Sequence, residues 1–466
     1  MTNASDSRPA FGLERIRLTS GRHLGLFALI CLQIGVCCVS LVRMAGYQPY
    51  MLYDADRLGY ALAAVLAFSV VSLLFVFARF SFGYFIGFNL FTMVLGFIWL
   101  NCFSQFNYDH KLAGLSAATS AALFLLPALL INAPVKQNFV LSRRALEYVL
   151  KFILVLALGT IIAASFYNFR LVSISQIYDF RNELNFPVAI RYLIGIVSTV
   201  LLPFAVACYV ALNRRWLAGL PLLLMLLFYP ITLSKFAFFA TAWVIVVLIL
   251  SRIFESRIAV VLSVLLPVLA GVILIGAIPG QYSLRYFDLV NIRMLATPSS
   301  AMDVYNDFFA SHPHTWFCQI SFLKPLMTCP YREPLSIVMK NAYELGNLNA
   351  SLFATDGIAS VGLHLAPFVA LACGFFVALG NRVSAGLPPQ FVLISSALLP
   401  QTFLNVPFTT VLLTHGLLFL FLLWYVMPRA IFQPDDRTSS FVGQAPAKTG
   451  TMKTLHPVHK APSDVT

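Results

Sequence analysis

Charge is what this sequence has least of. Only 11% of its 466 residues are Asp, Glu, Lys or Arg, while 59% are hydrophobic and the mean hydropathy is +0.84. A soluble core cannot hide that much apolar surface, so a soluble globular chain is excluded. Metal-type clusters are also lacking. His312 and His314, one residue apart and without a group of carboxylates, make a poor metal site, and no cofactor is expected. No small-residue cleavage site follows the first apolar run, which reads as an anchor and not as a removable signal. Charges inside the apolar runs are few, with Lys151 the main one, and no internal repeat is evident. Both absences count against a polar transport path through the bundle.

Long apolar runs are abundant, and each is long enough to cross a hydrocarbon core as a helix. About twelve are read, which makes the fold class an all-α polytopic membrane protein with a long extracytoplasmic loop. They start with Leu24 to Val42 and Leu58 to Phe77 and end with Ile258 to Ile278, Ile358 to Gly380, Phe391 to Leu404 and Thr409 to Met427. Pro400 and Pro407 interrupt the last two. Three regions follow: a cytoplasmic segment 1–23, the transmembrane domain 24–431, and a tail 432–466 whose Pro, Ser, Thr and Lys content reads as disordered.

Basic residues in short loops stay on the cytoplasmic side. Arg15, Arg17 and Arg22, then Lys136, Arg143 and Arg144, then Arg214 and Arg215, then Arg252, Arg257, Arg382 and Arg429 alternate so that they share one side, with both termini. Topology thus accounts for most of the net charge of +13, and no nucleic-acid partner is needed.

Two long connections fall on the opposite side, near 168–188 and 279–357. Connections of such length on a helix bundle usually carry function. Against the usual charge bias they hold Arg170, Arg181, Arg191, Arg285 and Arg293, and Lys235 sits at a third outer turn, Ser234–Lys235. Surface ion pairs with Asp179, Glu183 and Asp288 are the plain explanation. The functional one is an oxyanion site, because guanidinium forks bind phosphate oxygens in pairs and neutralise a leaving group.

Within the longer connection, Ser300 followed by Asp303 matches a helix-capping pattern, and Pro313 predicts the end of a short helix whose aromatic side is Tyr305, Phe308 and Phe309. Such a helix reads as lying on the membrane interface. Asn347, Asn349 and Ser351 offer neutral hydrogen-bonding groups that suit sugar hydroxyls, and Asp356 follows where a span begins. Gly357 and Gly362 allow close approach to that start. Asp356 and His314 are the candidates for a base, Asp356 ahead. Six cysteines fall in spans and act as small hydrophobes, whereas Cys318 and Cys329 share the long outer connection and predict a disulfide in an oxidising compartment.

The segments IYDFRNELNFP (Ile177 to Pro187), the Ser-Lys turn, YNDFFASHP and NLNASLFATDGIASVG together resemble the Wzy-type polymerases of O-antigen and exopolysaccharide repeat units. The resemblance covers most of the chain in layout. It implies a metal-independent glycosyltransferase of the bacterial inner membrane that works on the periplasmic side. Such an enzyme moves a growing glycan from an undecaprenyl pyrophosphate carrier onto a new lipid-linked repeat unit. It further implies that outward arginines hold the pyrophosphate, and that the partners are the lipid-linked oligosaccharide, membrane lipid, a chain-length regulator and a flippase. The Arg-x10-Gly pattern of some members is missing, since the residues eleven after Arg181, Arg285 and Arg293 are Tyr192, Ala296 and Val304. The related ligases carry a His before the glycines of a late span, where this chain has Asn347 and Asn349. YDADR, Tyr53 to Arg57, offers an acidic pair for a polyprenyl-phosphate-dependent glycosyltransferase, and a lipid-linked saccharide flippase is the reading of another class.

Overall fold

The computed structural model describes residues 20–43, 48–172, 180, 184–278, 280–320, 322–346 and 348–432. Among them ten helices are long and apolar enough to cross a membrane. They are α1 (His23–Val42), α2 (Ala55–Phe77), α3 (Phe82–Asn101), α4 (His110–Leu130), α5 (Arg143–Ser165), α6 (Val188–Ala211), α7 (Arg215–Thr232), α8 (Lys235–Ile253), α9 (Ser256–Ala277) and, after the long connection, α13 (Ala366–Ser384). The chain is therefore an all-helical, membrane-embedded protein. α3 is apolar all round and buried along its whole length, so it is the post around which the others pack. Phe75, Phe88, Phe91 and Tyr84 interlock on it through edge and offset ring contacts, and Phe82 meets Phe421 and Trp424 in the same way.

Backbone and side-chain bonds sort the connections to two ends. At the basic end, Leu141 N–H donates to Val426 O (2.9 Å), Val135 N–H to Arg382 O (3.2 Å), and Arg257 to the carbonyls of Val76 and Ala78 (3.3 and 3.4 Å). At the far end, Leu52 N–H donates to Phe103 O (3.0 Å), and Asn168 Nδ2 and Arg170 N–H bond carbonyls of Ile231 and Pro230 (2.8 and 3.0 Å). The basic residues of the short loops collect at the first end and the long connections at the second.

The connection after α9 opens with a long helix before it turns into irregular chain. Residues 281–311 form one continuous helix, α10, that widens to π geometry over Asp288–Ala296. It runs obliquely across α9, α1 and α3. Asn291 bonds Ser40 Oγ and Val268 O, and Ser299 bonds Met93 O (3.0, 2.8 and 2.9 Å). Gly96 makes the crossing possible, because a Cβ there would lie 2.4 Å from Ser299 Oγ. The capping pattern at Ser300 is thus not a helix start: Ser300 bonds Thr297 O inside the helix. Nor is this an interface helix, since Tyr305, Phe308 and Phe309 are buried. Its end does fall before Pro313, with the last helical residue Ser311.

α11 (Leu335–Tyr343) follows, and then a short helix α12, residues 353–361, begins in π geometry. The predicted span from Ile358 to Gly380 is broken at Gly362, whose φ is +78°. Only after this turn does α13 start, with Pro367 in its first turn. α12 is sunk into the bundle: Ser116, six residues into α4, donates to Leu363 O (2.5 Å), and Phe353 packs on Phe124.

The two spans read from Phe391 to Leu404 and Thr409 to Met427 become four short helices, α14 (Pro389–Ser395), α15 (Leu399–Asn405), α16 (Phe408–Leu413) and α17 (Leu417–Val426). Prolines open α14, α15 and α16, and Gly416 at φ +80° opens α17. These pairs stop short of the far end. Phe408 packs on Phe376, in the middle of α13, and a Cβ on Gly195, seven residues into α6, would lie 2.5 Å from Thr414 O. Among the described residues ten helices are long enough to cross, and these short helices do not confirm a count of twelve.

Candidate functional site

Of the basic residues singled out in the long connections, Arg170, Arg191, Lys235, Arg285 and Arg293 are described. Asn168, after α5, bonds the carbonyls of Pro230 and Ile231, while Tyr229 and Leu233 bury against Val172, Phe180 and Leu184. This fastens the shorter connection to the turn that presents Lys235. Arg170 is exposed there and its guanidinium lies 5.3 Å from the centre of the Phe180 ring. Burial raises the pKa of Asp288 on α10, and the charge of Lys235 opposes that shift. Arg285 and Arg293, both exposed, flank Asp288 on the same helix, and Arg191 is exposed in the first turn of α6. Arg181 and Asn347 lie outside the described residues, and Asn349 is exposed.

The two base candidates have different surroundings. Asp356 is not at the mouth of a span. It is 6% exposed on α12, and Oδ2 accepts the N–H of Phe408 at 2.7 Å, so the carboxylate fastens the sunken turn to the start of α16. His314 lies nearer the surface. Thr315 and Trp316 N–H donate to Ala359 and Ser360 O (2.8 and 3.0 Å), which carries the imidazole onto Gly362. A Cβ at Gly362 would lie 2.8 Å from Nε2, so this glycine serves both its positive φ and the ring's approach. Phe309 stacks on the ring from the other side, burial lowers the pKa so that the neutral form is favoured, and Nδ1 is buried without a hydrogen-bond partner. Cys318 and Cys329 are joined, Cα to Cα 5.4 Å, a few residues further on.

Of the acidic pair in YDADR, the Asp54 side chain is engaged locally. Asp54 caps its own turn through Asp56 N–H (3.0 Å) and meets Arg57 at 3.4 Å. Lys151 is exposed on α5 beside the Tyr148 ring, on an outer face and not along a path through the bundle. Among the described residues, no three His, Cys, Asp or Glu side chains group as metal ligands.

One cluster was missed. Asp303, fully buried on α10, accepts Ser104 Oγ at 2.9 Å and is bonded to Tyr108 OH. Tyr108 OH also reaches Asn101 Oδ1 (2.8 Å), on which His110 Nδ1 converges (2.9 Å). One turn on, Asp307 accepts Asn107 N–H (3.0 Å) and Tyr343 OH (2.6 Å). The two carboxylates lie where the loop beyond α3 meets α10, and Asn101 and His110 are the end residues of α3 and α4 beside that loop. Burial pushes the Asp303 carboxyl up to about 7, against the bonds from Tyr108 and Ser104 and with help from Asp307. The geometry agrees: Tyr108 has one proton for two oxygens, and a protonated Asp303 donating to Tyr108 leaves that proton for Asn101. The only sequence signal was an Asp spaced four residues from another on an amphipathic segment.

A pH effect follows. A carboxyl raised to about 7 in the fold takes up its proton more readily there than in the unfolded chain, so its contribution to stability is complete below the unfolded value near 3.8 and is lost as pH rises through 7. The limiting slope is about 1.4 kcal/mol per pH unit. Thermal unfolding of the purified chain in detergent should therefore show Tm falling from about pH 5 to about pH 8. Asp303→Asn should flatten that fall, and an unchanged slope would remove Asp303 as its source.

No family model, curated protein or solved structure matches the chain. Its function must be argued from the site itself.

Proposed function

We propose that this chain is a polymerase of lipid-linked oligosaccharide repeat units in the bacterial inner membrane. In this reading it transfers a glycan from undecaprenyl pyrophosphate to the hydroxyl of a new lipid-linked repeat unit on the periplasmic side. The observation that carries the reading is a set of cations on the long connections, Arg170 on a segment bonded to the turn before Lys235, and Arg285 and Arg293 exposed to either side of Asp288 on α10, whose titration feels the charge of Lys235. A departing diphosphate needs cations at the membrane surface, and guanidinium groups supply paired donors without a metal. The acceptor hydroxyl needs a base. His314 takes that role here, because it is held neutral near the surface while Asp356 is engaged by Phe408. The hydroxyl oxygen attacks the anomeric carbon, its proton passes to the imidazole, and the bond to the diphosphate oxygen breaks with the electron pair leaving on the diphosphate. In this reading Asn349, which is exposed, meets the sugar hydroxyls.

The far end must face outward for this to hold. A reporter fused after Lys340 should read as periplasmic and one after Arg215 as cytoplasmic, whereas the opposite pair of readings would put the site on the wrong side of the membrane for a lipid-linked donor delivered outside.

A further inference from the structure

The segment after His314 exposes an unusual amount of apolar surface for a connection between helices. Trp316 is 56% exposed, Phe322 63%, Leu326 79% and Met327 39%; the last three lie inside the loop closed by the disulfide between Cys318 and Cys329, and Trp316 stands two residues before it, at its base. Patches of that kind mark an interaction surface. Between Trp316 and Arg332 no residue is acidic, and Lys324 and Arg332 are both exposed.

Where this finger is rooted says what it meets. Trp316 N–H is bonded to Ser360 O, and the chain three residues on from Ser360 is bonded through Leu363 O to Ser116 of α4. Ser116 is six residues from the start of α4, about 9 Å below that helix end at 1.5 Å per residue. The root is therefore tied to the bundle about 9 Å inside the far end of α4, close to where the spans end. The rim beside it is itself lipid-type surface, with Leu115, Leu365 and Phe368 exposed at 66%, 46% and 63%. Aromatic and aliphatic side chains with nearby cations, held at the level where spans end, have the composition of a segment lying in the headgroup region.

We propose that this disulfide-closed finger is an interfacial anchor that inserts Trp316, Phe322 and Leu326 into the headgroup region of the far-end leaflet, with Lys324 and Arg332 on anionic lipid phosphates. The cations add affinity for an anionic surface, and the disulfide keeps Phe322 and Leu326 in one closed loop. The inference does not depend on the catalytic reading.

The test uses the full chain in single-copy nanodiscs of phosphatidylcholine, with or without phosphatidylglycerol, brominated either near the glycerol end or near the methyl end of the acyl chains. Five tryptophans are present, so the Trp316 signal is the difference between wild type and Trp316→Phe. That signal should be quenched more by shallow than by deep bromines, and more strongly when phosphatidylglycerol is present. Leu326→Trp in the Trp316→Phe background should give the same reading from the tip, so a folding defect in one variant leaves the other informative. Emission untouched by bromine and quenched by aqueous iodide would show a water-facing finger and overturn the proposal. Protection from both quenchers would show a partner or second copy covering it, and would overturn it equally.

Discussion

Replacing Arg285 and Arg293 together by Lys should abolish glycan ladders at unchanged protein level in the membrane, with a loss of a hundredfold or more in transfer expected on the order of two clamp contacts at about 1.5–3 kcal/mol each. Lys keeps the charge but loses the fork that binds two oxygens of a diphosphate at once. Both residues are exposed, so the substitution leaves no buried cavity behind. The Arg181→Lys change, in the segment IYDFRNELNFP, should act in the same direction. Arg57→Lys is the control, because Arg57 pairs with Asp54 on an exposed turn at 3.4 Å and such pairs are worth little. Ladders of normal length from the double variant at normal protein level would leave the phosphate clamp without support.

The second large effect concerns Asp356. Asp356→Ala removes a buried acceptor and strands the N–H of Phe408, and should cost about 2–3 kcal/mol, enough to lower the amount of folded protein. Asn presents an amide oxygen of similar reach and is an equally good cap, so Asp356→Asn should keep both protein level and transfer activity. Comparing the two variants by detergent-solubilised yield and by ladder length separates a fastening role from a catalytic one. Loss of ladders in Asp356→Asn at normal yield would return the base to Asp356 and take it from His314.

Much of this architecture can be read from residues in a row. Apolar runs mark ten helices, and the alternation of basic loops sorts their ends. What cannot be read that way depends on distant partners. α10 has too little apolar content to announce itself, and its second half is buried where α3 offers it Gly96 and the Met93 carbonyl. Ser300 and Asp303 have the spacing of a cap, yet the helix runs through them, since Asp303 is satisfied by Ser104 and Tyr108 nearly two hundred residues earlier. Asp356 lies in a stretch that reads as the threshold of a span. Its partner is Phe408, 52 residues on, and the break that separates it from α13 is a single positive φ at Gly362. The cationic residues were legible as a group from their positions in the long connections; that Arg285 and Arg293 share one helix with Asp288 was not.

The central claim is that the chain itself joins lipid-linked repeat units. Purified chain, reconstituted with undecaprenyl-pyrophosphate-linked repeat units and no divalent metal, should produce a ladder of products each longer by one unit, and release undecaprenyl pyrophosphate in step with each addition. Repeat units recovered unextended, from a preparation whose Tm shows that the chain is folded, would contradict it.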